Sequence, residues 1–138
     1  MILYKLANTY SFDFDDTLTQ PVWDEEEEMW GNHGEARQET LDMMLELASK
    51  GHTIIIVTAR REEHLDEVRE FVKYHQLPVA EIHATNHALK GHWFKDNGIE
   101  VIKHFDDCPY ELMSLDDHGI SNERVWHPFD LESGYEAD

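Results

Sequence analysis

Thr9-Tyr10-Ser11-Phe12-Asp13-Phe14-Asp15-Asp16-Thr17-Leu18-Thr19 is the stretch on which the fold turns. Residues 9–14 alternate apolar and polar side chains and then break into carboxylates, the pattern of a strand whose C-terminal end carries acid. Downstream, His52-Thr53-Ile54-Ile55-Ile56-Val57 is a β-branched run set off by Gly51. Such a run suits a strand buried on both faces, and strands of that kind favour a parallel sheet. Between the two, Leu41, Met44, Leu45 and Ala48 recur at helical spacing within 36–50, and Lys50 with Gly51 supplies the stop.

The alternation of strand and helix continues to the C-terminal side. Leu65, Val68, Phe71 and Val72 mark one face of a helix over 62–75, closed off by Pro78 before a short strand at 79–83. A helix over 89–97 is stopped by Gly98, a strand over 99–105 runs into Asp106-Asp107, and a helix over 109–117 is ended by Gly119. A last strand is expected at 124–126. With right-handed crossovers this order gives a three-layer, Rossmann-like α/β fold: a mostly parallel five-stranded sheet with helices on both faces. Residues 18–35, with Pro21, Gly31 and Gly34, show no long period and read as an irregular flap. That flap carries the run Asp24-Glu25-Glu26-Glu27-Glu28, and the flanking Trp23 and Trp30 are expected to pack on their own domain. No repeat or linker divides the chain, so 1–138 is expected to be one domain with a loose tail from about 130.

Composition narrows the function classes. The chain has 138 residues, 41% hydrophobic and 11% aromatic, enough apolar matter for one core and unlike a disordered chain. Its 11 basic residues against 30 acidic ones give a net charge of −19, a field that repels polyanions, so extended nucleic-acid binding is not expected. No apolar run approaches the roughly 20 residues of a membrane helix, and the opening residues lack an export signal. Cys108 is the lone cysteine and has no intramolecular disulfide partner, which suits a reducing, cytoplasmic setting. The sequence gives no reading of oligomeric state.

The chemistry follows from where the acids fall. Asp13-x-Asp15-Asp16 and Asp106-Asp107 each come directly after a predicted strand, so a parallel sheet brings both clusters to its C-terminal edge, where such sheets bind ligands. Carboxylates held together repel one another, and a hard, oxygen-loving cation such as Mg²⁺ relieves that repulsion. Thr58-Ala59-Arg60 follows the buried strand and brings a hydroxyl and backbone amides to the same edge, a start for holding phosphate oxygens. The ten histidines add no zinc site: His83 and His87 flank a loop, and the acids already define an oxygen site. Cys108 reads as a small buried side chain rather than a nucleophile.

These strings resemble the motifs of the haloacid dehalogenase-like phosphohydrolases. Phe12-Asp13-Phe14-Asp15-Asp16-Thr17 resembles the first motif, Asp-x-Asp-x-Thr. Ile55-Ile56-Val57-Thr58-Ala59-Arg60 resembles the second, Lys90 is the best-placed third-motif lysine ahead of Lys95 and Lys103, and Phe105-Asp106-Asp107 resembles the fourth. The resemblance spans about residues 10–126. It implies that Asp13 is the nucleophile and Asp15 the acid and base, with Mg²⁺ held by the Asp13 carboxylate, the Asp15 carbonyl and one or both of Asp106 and Asp107. It further implies that Thr58, Ala59 and Lys90 bind the phosphoryl group, and Arg60 is a candidate substrate contact. An acid at position 15 sorts with phosphatases rather than dehalogenases.

In this family, substrate choice comes from cap modules, and neither insertion point has room for one here. Capless relatives that the chain resembles include polynucleotide 3′-phosphatases and small phage or bacterial nucleotidase-like proteins. The expected function is Mg²⁺-dependent hydrolysis of a small phosphorylated metabolite, such as a nucleotide or sugar phosphate, through an aspartyl-phosphate. The alternatives are hydrolysis of phosphates at nucleic-acid 3′ or 5′ ends, and a non-catalytic module that binds phosphate, metal or, through its acidic flap, a basic partner.

Overall fold

The computed structural model describes residues 8–31 and 34–125. Five parallel strands form its sheet: β1 (Thr9–Phe12), β4 (Thr53–Thr58), β5 (Val79–Ala84), β6 (Lys103–Asp106) and β7 (Asn122–Arg124). They lie in the order β5-β4-β1-β6-β7, every pairing parallel. Four helices connect them: α1 (Gln38–Ser49), α2 (Asp66–Tyr74), α3 (Lys90–Asp96) and α4 (Pro109–Asp117). The fold is the three-layer, Rossmann-like α/β sandwich expected from the sequence. The chain winds outward from β1 to β5, then crosses back to β6, so the winding reverses at β1. That is the switch point at which open parallel sheets leave a crevice beyond their strand ends.

Period-two alternation sorts the sheet's side chains between two cores. Phe12, Phe14, Ile54, Ile56 and Phe105 point to the α1 and α2 side, where they pack with Leu41, Met44, Val68 and Phe71. Ile55 and Val57 point the other way and pack with Phe94 of α3 and Leu115 of α4. Fully burying each of these side chains contributes roughly 1.5–3 kcal/mol, so helices on both faces are required to cover a sheet this apolar.

The flap departs from the irregular segment expected. Within it β2 (Val22–Asp24) and β3 (Met29–Gly31) form an antiparallel hairpin that sets Trp23 opposite Trp30. Asp24 turns the chain by accepting the backbone N–H groups of Glu26 and Glu27, an Asx turn that a period-based reading overlooks. Trp23 is 46% exposed; the Trp30 side chain lies outside the described residues. Other boundaries moved by a few residues. β1 stops at Phe12, β6 starts at Lys103 rather than 99, and the helix expected over 62–75 breaks at Leu65 into a 3₁₀ turn, Glu62–His64, and α2. The last strand is Asn122–Arg124; Trp126 and the tail from 130 lie outside the described residues.

Candidate active site

Asp13 follows β1 and still donates its N–H to the Phe105 carbonyl (2.9 Å), so the sheet holds its backbone in place. Beyond it the chain turns sharply at Asp16, whose φ of 62° lies in the left-handed region that Asp tolerates. The N–H groups of Thr17, Leu18 and Thr19 all return to the Phe14 carbonyl. This turn puts the Thr17 hydroxyl within reach of both Asp13 Oδ2 (3.2 Å) and Asp107 Oδ1 (3.3 Å), linking the two acidic clusters.

Lys90 is the centre of the site. It is 1% exposed, and its Nζ lies 2.8 Å from Asp13 Oδ1 and 2.5 Å from Asp106 Oδ2. Burial opposes its charge, but Asp13 and Asp106 outweigh burial and hold the ammonium above its ordinary value. Lys90 is the first residue of α3, and α4 fixes that turn: Glu111 accepts the Lys90 N–H (2.9 Å) and Ser114 Oγ accepts the Gly91 N–H (3.1 Å). Gly91 is required there, because a Cβ would collide with the Ser114 carbonyl.

Behind Asp106 runs a buried polar chain. Ser11 Oγ meets His104 Nδ1 at 2.6 Å, and His104 Nε2 meets Asp106 Oδ2 at 2.9 Å. Burial holds His104 below its ordinary value, so the ring is neutral. An ionised Asp106 only accepts, which assigns the ring proton to Nε2 and makes Ser11 the donor to Nδ1. Burial alone would raise Asp106, but the Lys90 charge and the His104 bond overcome it and hold the carboxyl below the usual range. The other oxygen of Asp106 accepts the Cys108 N–H (3.0 Å). Both Asp106 oxygens are thus committed to protein donors.

Asp13, Asp106 and Asp107 bring one carboxylate oxygen each to within 4.8 Å of one another. Burial, then Asp106, holds Asp13 well above the usual carboxylate range. The same two causes push Asp107 up to about 6. Three carboxylates around one ammonium leave an excess of negative charge that a hard divalent cation would offset, so the residues fit Mg²⁺.

The second-motif residues run through the end of β4, a strand paired with β1. Thr58 is buried at the end of β4, and its Oγ1 accepts the Arg60 N–H (3.3 Å). The loop after β5 clamps this turn from outside: Thr85, Asn86 and His87 donate to the carbonyls of Thr58, Arg60 and Ala59. Arg60 lines a cleft beside Asp15 and is held there by protein acceptors. Its Nε and NH2 grip the two oxygens of Asp15, both at 2.9 Å, and its NH1 donates to the His64 carbonyl. The bonds from Asp15 raise the guanidinium further. The Asp15 carboxylate accordingly stands apart from the cluster of Asp13, Asp106 and Asp107. Lys95 and Lys103 are not among the groups bonded to these acids; Lys103 pairs with Glu123 instead. Cys108 is half-buried rather than buried, and its thiol is pushed up by burial, which leaves it a weak nucleophile.

A family model for the PITM 1-3 LNS2 domain matches residues 11–107. The chain belongs to this family. The LNS2 match begins at Ser11 and ends at Asp107, so it takes in both acidic clusters, Thr58 and Lys90. LNS2 is a haloacid dehalogenase-like phosphatase family, which agrees at that level with the motif resemblance. No curated protein matches the chain. Among solved structures, a chain of the Pnkp1/Rnl/Hen1 complex is similar at 12% identity and a TM-score of 0.65, covering 88% of this chain and 47% of that one. A chain of the Pnkp1/Rnl/Hen1 RNA repair complex is similar at 12% identity and a TM-score of 0.67, over 88% of this chain and 43% of that one. These likenesses show the fold, and this chain spans less than half the length of either. No helix among the described residues is long and apolar enough to cross a membrane.

Proposed function

We propose that the chain is a Mg²⁺-dependent phosphomonoester hydrolase that works through an aspartyl-phosphate on Asp13, acting on a small phosphorylated substrate in the cytoplasm. The observation that carries this reading is the buried Lys90 ammonium shared between Asp13 and Asp106, with Asp107 alongside. A structural ion pair needs one carboxylate. Two on a 1%-exposed lysine, with a third carboxylate beside them, make a costly arrangement that suits a reaction centre.

In the first half-reaction a carboxylate oxygen of Asp13 attacks phosphorus, the ester P–O bond breaks, and Asp15 gives its proton to the departing alkoxide. In the second, Asp15 takes a proton from water as that water attacks phosphorus. The Asp13–phosphorus bond breaks, and phosphate leaves with Asp13 restored. Lys90 and the Thr58 hydroxyl bind the phosphoryl oxygens, with the Ala59 turn beside them, and offset charge during transfer. The Asp13 carboxylate, the Asp15 carbonyl and one or both of Asp106 and Asp107 would hold Mg²⁺, and Asp106 also anchors Lys90. When bound, the cation screens the nucleophile from the negative phosphate.

A second reading, removal of a terminal phosphate from a nucleic acid, is prompted by the fold likeness to a chain of an RNA repair complex. The acidic hairpin tip, Asp24–Glu28, opposes it by repelling a phosphate backbone. Phosphate release by wild type and Asp13→Asn, with and without Mg²⁺, over nucleotides, sugar phosphates and end-phosphorylated oligonucleotides tests both. Metal-dependent release lost in Asp13→Asn is expected, strongest on the small esters. Release that survives in Asp13→Asn would contradict the mechanism.

A further inference from the structure

A cleft of about 680 Å³ opens directly beside Asp15 and is bounded by the Asp15–Arg60 pair on one side and by α2 on the other. Its size is that of a small-molecule site. If Asp15 protonates the leaving group, as in the proposed function on which this inference rests, the leaving group has to lie against Asp15. This cleft is the space available there.

The walls state what they would accept. Phe14 and Phe71 meet edge to face (5.1 Å between centroids), His75 lies 4.4 Å from Phe71, and Tyr74 packs edge-on to His75 at 4.9 Å. Tyr74 is 82% exposed although it closes the last turn of α2, so a large aromatic face is held toward solvent at the cleft rim. Exposed aromatic faces of this kind stack on flat rings. Among the described residues the charged lining is Asp15, Glu67 and Glu70 against Arg60, with His75 beside them, and Arg60 is already paired with Asp15 and lies 3.6 Å from Glu67. An excess of carboxylates rejects a second phosphate and accepts hydrogen bonds from hydroxyl and amino groups.

We infer that this cleft is the leaving-group subsite and that it takes a nucleoside, so the substrate class is a nucleoside monophosphate whose only phosphate is the one transferred. The aromatic rim meets the base. Glu67 and Glu70 accept from sugar hydroxyls or base amino groups, and they bar polyphosphates and polymer backbones.

The test uses the whole chain with Mg²⁺ and compares kcat/KM for adenosine 5′-monophosphate, ribose 5-phosphate, adenosine 5′-diphosphate and a 3′-phosphorylated dinucleotide. The monophosphate is expected to exceed ribose 5-phosphate by about tenfold, the scale of one stacked base. Tyr74→Ala should collapse that preference toward unity, with Tyr74→Phe retaining it. The double variant Glu67→Gln/Glu70→Gln should raise activity on the diphosphate and the dinucleotide relative to the monophosphate. Equal activity on ribose 5-phosphate and the monophosphate, or a preference insensitive to Tyr74→Ala, would overturn the subsite while leaving the phosphatase reading intact. A dinucleotide preferred by wild type would overturn it in favour of nucleic-acid ends. Absence of release from all four would overturn the phosphatase reading and the subsite with it.

Discussion

Arg60 holds both oxygens of Asp15 in a two-bond fork, each bond 2.9 Å. The guanidinium is itself fixed by the His64 carbonyl and lies 5.3 Å over the Phe14 ring. Arg60, read from sequence as a candidate substrate contact, lines the cleft beside Asp15 and also supports the proposed acid and base. Because planar, two-point binding is peculiar to arginine, the consequences of replacing it are specific. Arg60→Ala should lower kcat by about a hundredfold, the scale of a misplaced catalytic group, with a much smaller change in Mg²⁺ affinity. Arg60→Lys should fail to restore it. Steady-state kinetics over a Mg²⁺ titration reads both effects.

Removing the ammonium tests the centre of the site. Lys90→Met leaves Asp13 and Asp106 buried without their shared cation, a loss of about 3–5 kcal/mol of stability. Added Mg²⁺ should return part of that loss, because it meets the same negative charge. Chemical denaturation with and without Mg²⁺ measures it.

Gly91 is a packing requirement at a catalytic address. Gly91→Ala pushes a Cβ into the Ser114 carbonyl and His118, and overpacking of this kind costs about 1–3 kcal/mol. It also moves the turn that carries Lys90. The variant should therefore lose phosphate release out of proportion to its modest loss in thermal melting temperature.

Asp107 sets a pH dependence. Burial and Asp106 push it up to about 6 in the folded chain, whereas an unfolded Asp titrates near ~4. Between these values the folded chain keeps a proton that the unfolded chain has released, so the stability of the metal-free protein falls as pH rises from about 4 through about 6. Asp13, held high by burial, acts in the same direction. In EDTA, melting temperature should drop across this interval, less steeply in Asp107→Asn, and Mg²⁺ should raise it more at pH 7 than at pH 5. A slope unaltered in Asp107→Asn would contradict the assignment.

The sheet was legible because its strands are short apolar runs that end in chemistry: Asp13 after β1, Thr58 after β4 and Asp106 after β6 mark the strand ends in the sequence itself. The hairpin was not, since three-residue strands carry too few residues for a period and its turn depends on one Asx interaction at Asp24. At the site, the acids could be named from the strand ends and Lys90 from the motif resemblance, but their supports could not. Glu111 and Ser114 act on α3 from a helix about twenty residues downstream, and no local pattern announces that contact. His104 did leave a signal. It stands two residues before Asp106 and so shares its face of β6, and Ser11 stands two before Asp13 on the neighbouring strand in register with His104. Polar residues at alternate positions facing a core side, just ahead of a catalytic acid, point to a supporting network. The Arg60–Asp15 pair was not legible, because Asp15 lies forty-five residues away and meets Arg60 only across the strand ends.

The central claim is a covalent phosphoryl group on Asp13. The most direct test is to mix wild type and Asp15→Asn with Mg²⁺ and a phosphomonoester, quench in acid, reduce with borohydride and locate the modified residue by mass spectrometry. Acyl phosphate at Asp13 is expected, reduced to homoserine at that position and, with an aryl phosphate whose leaving group needs no proton from Asp15, accumulating in Asp15→Asn because the water step is slowed. Turnover with Asp13 unmodified under the same quench, or modification at another carboxylate, would contradict the account.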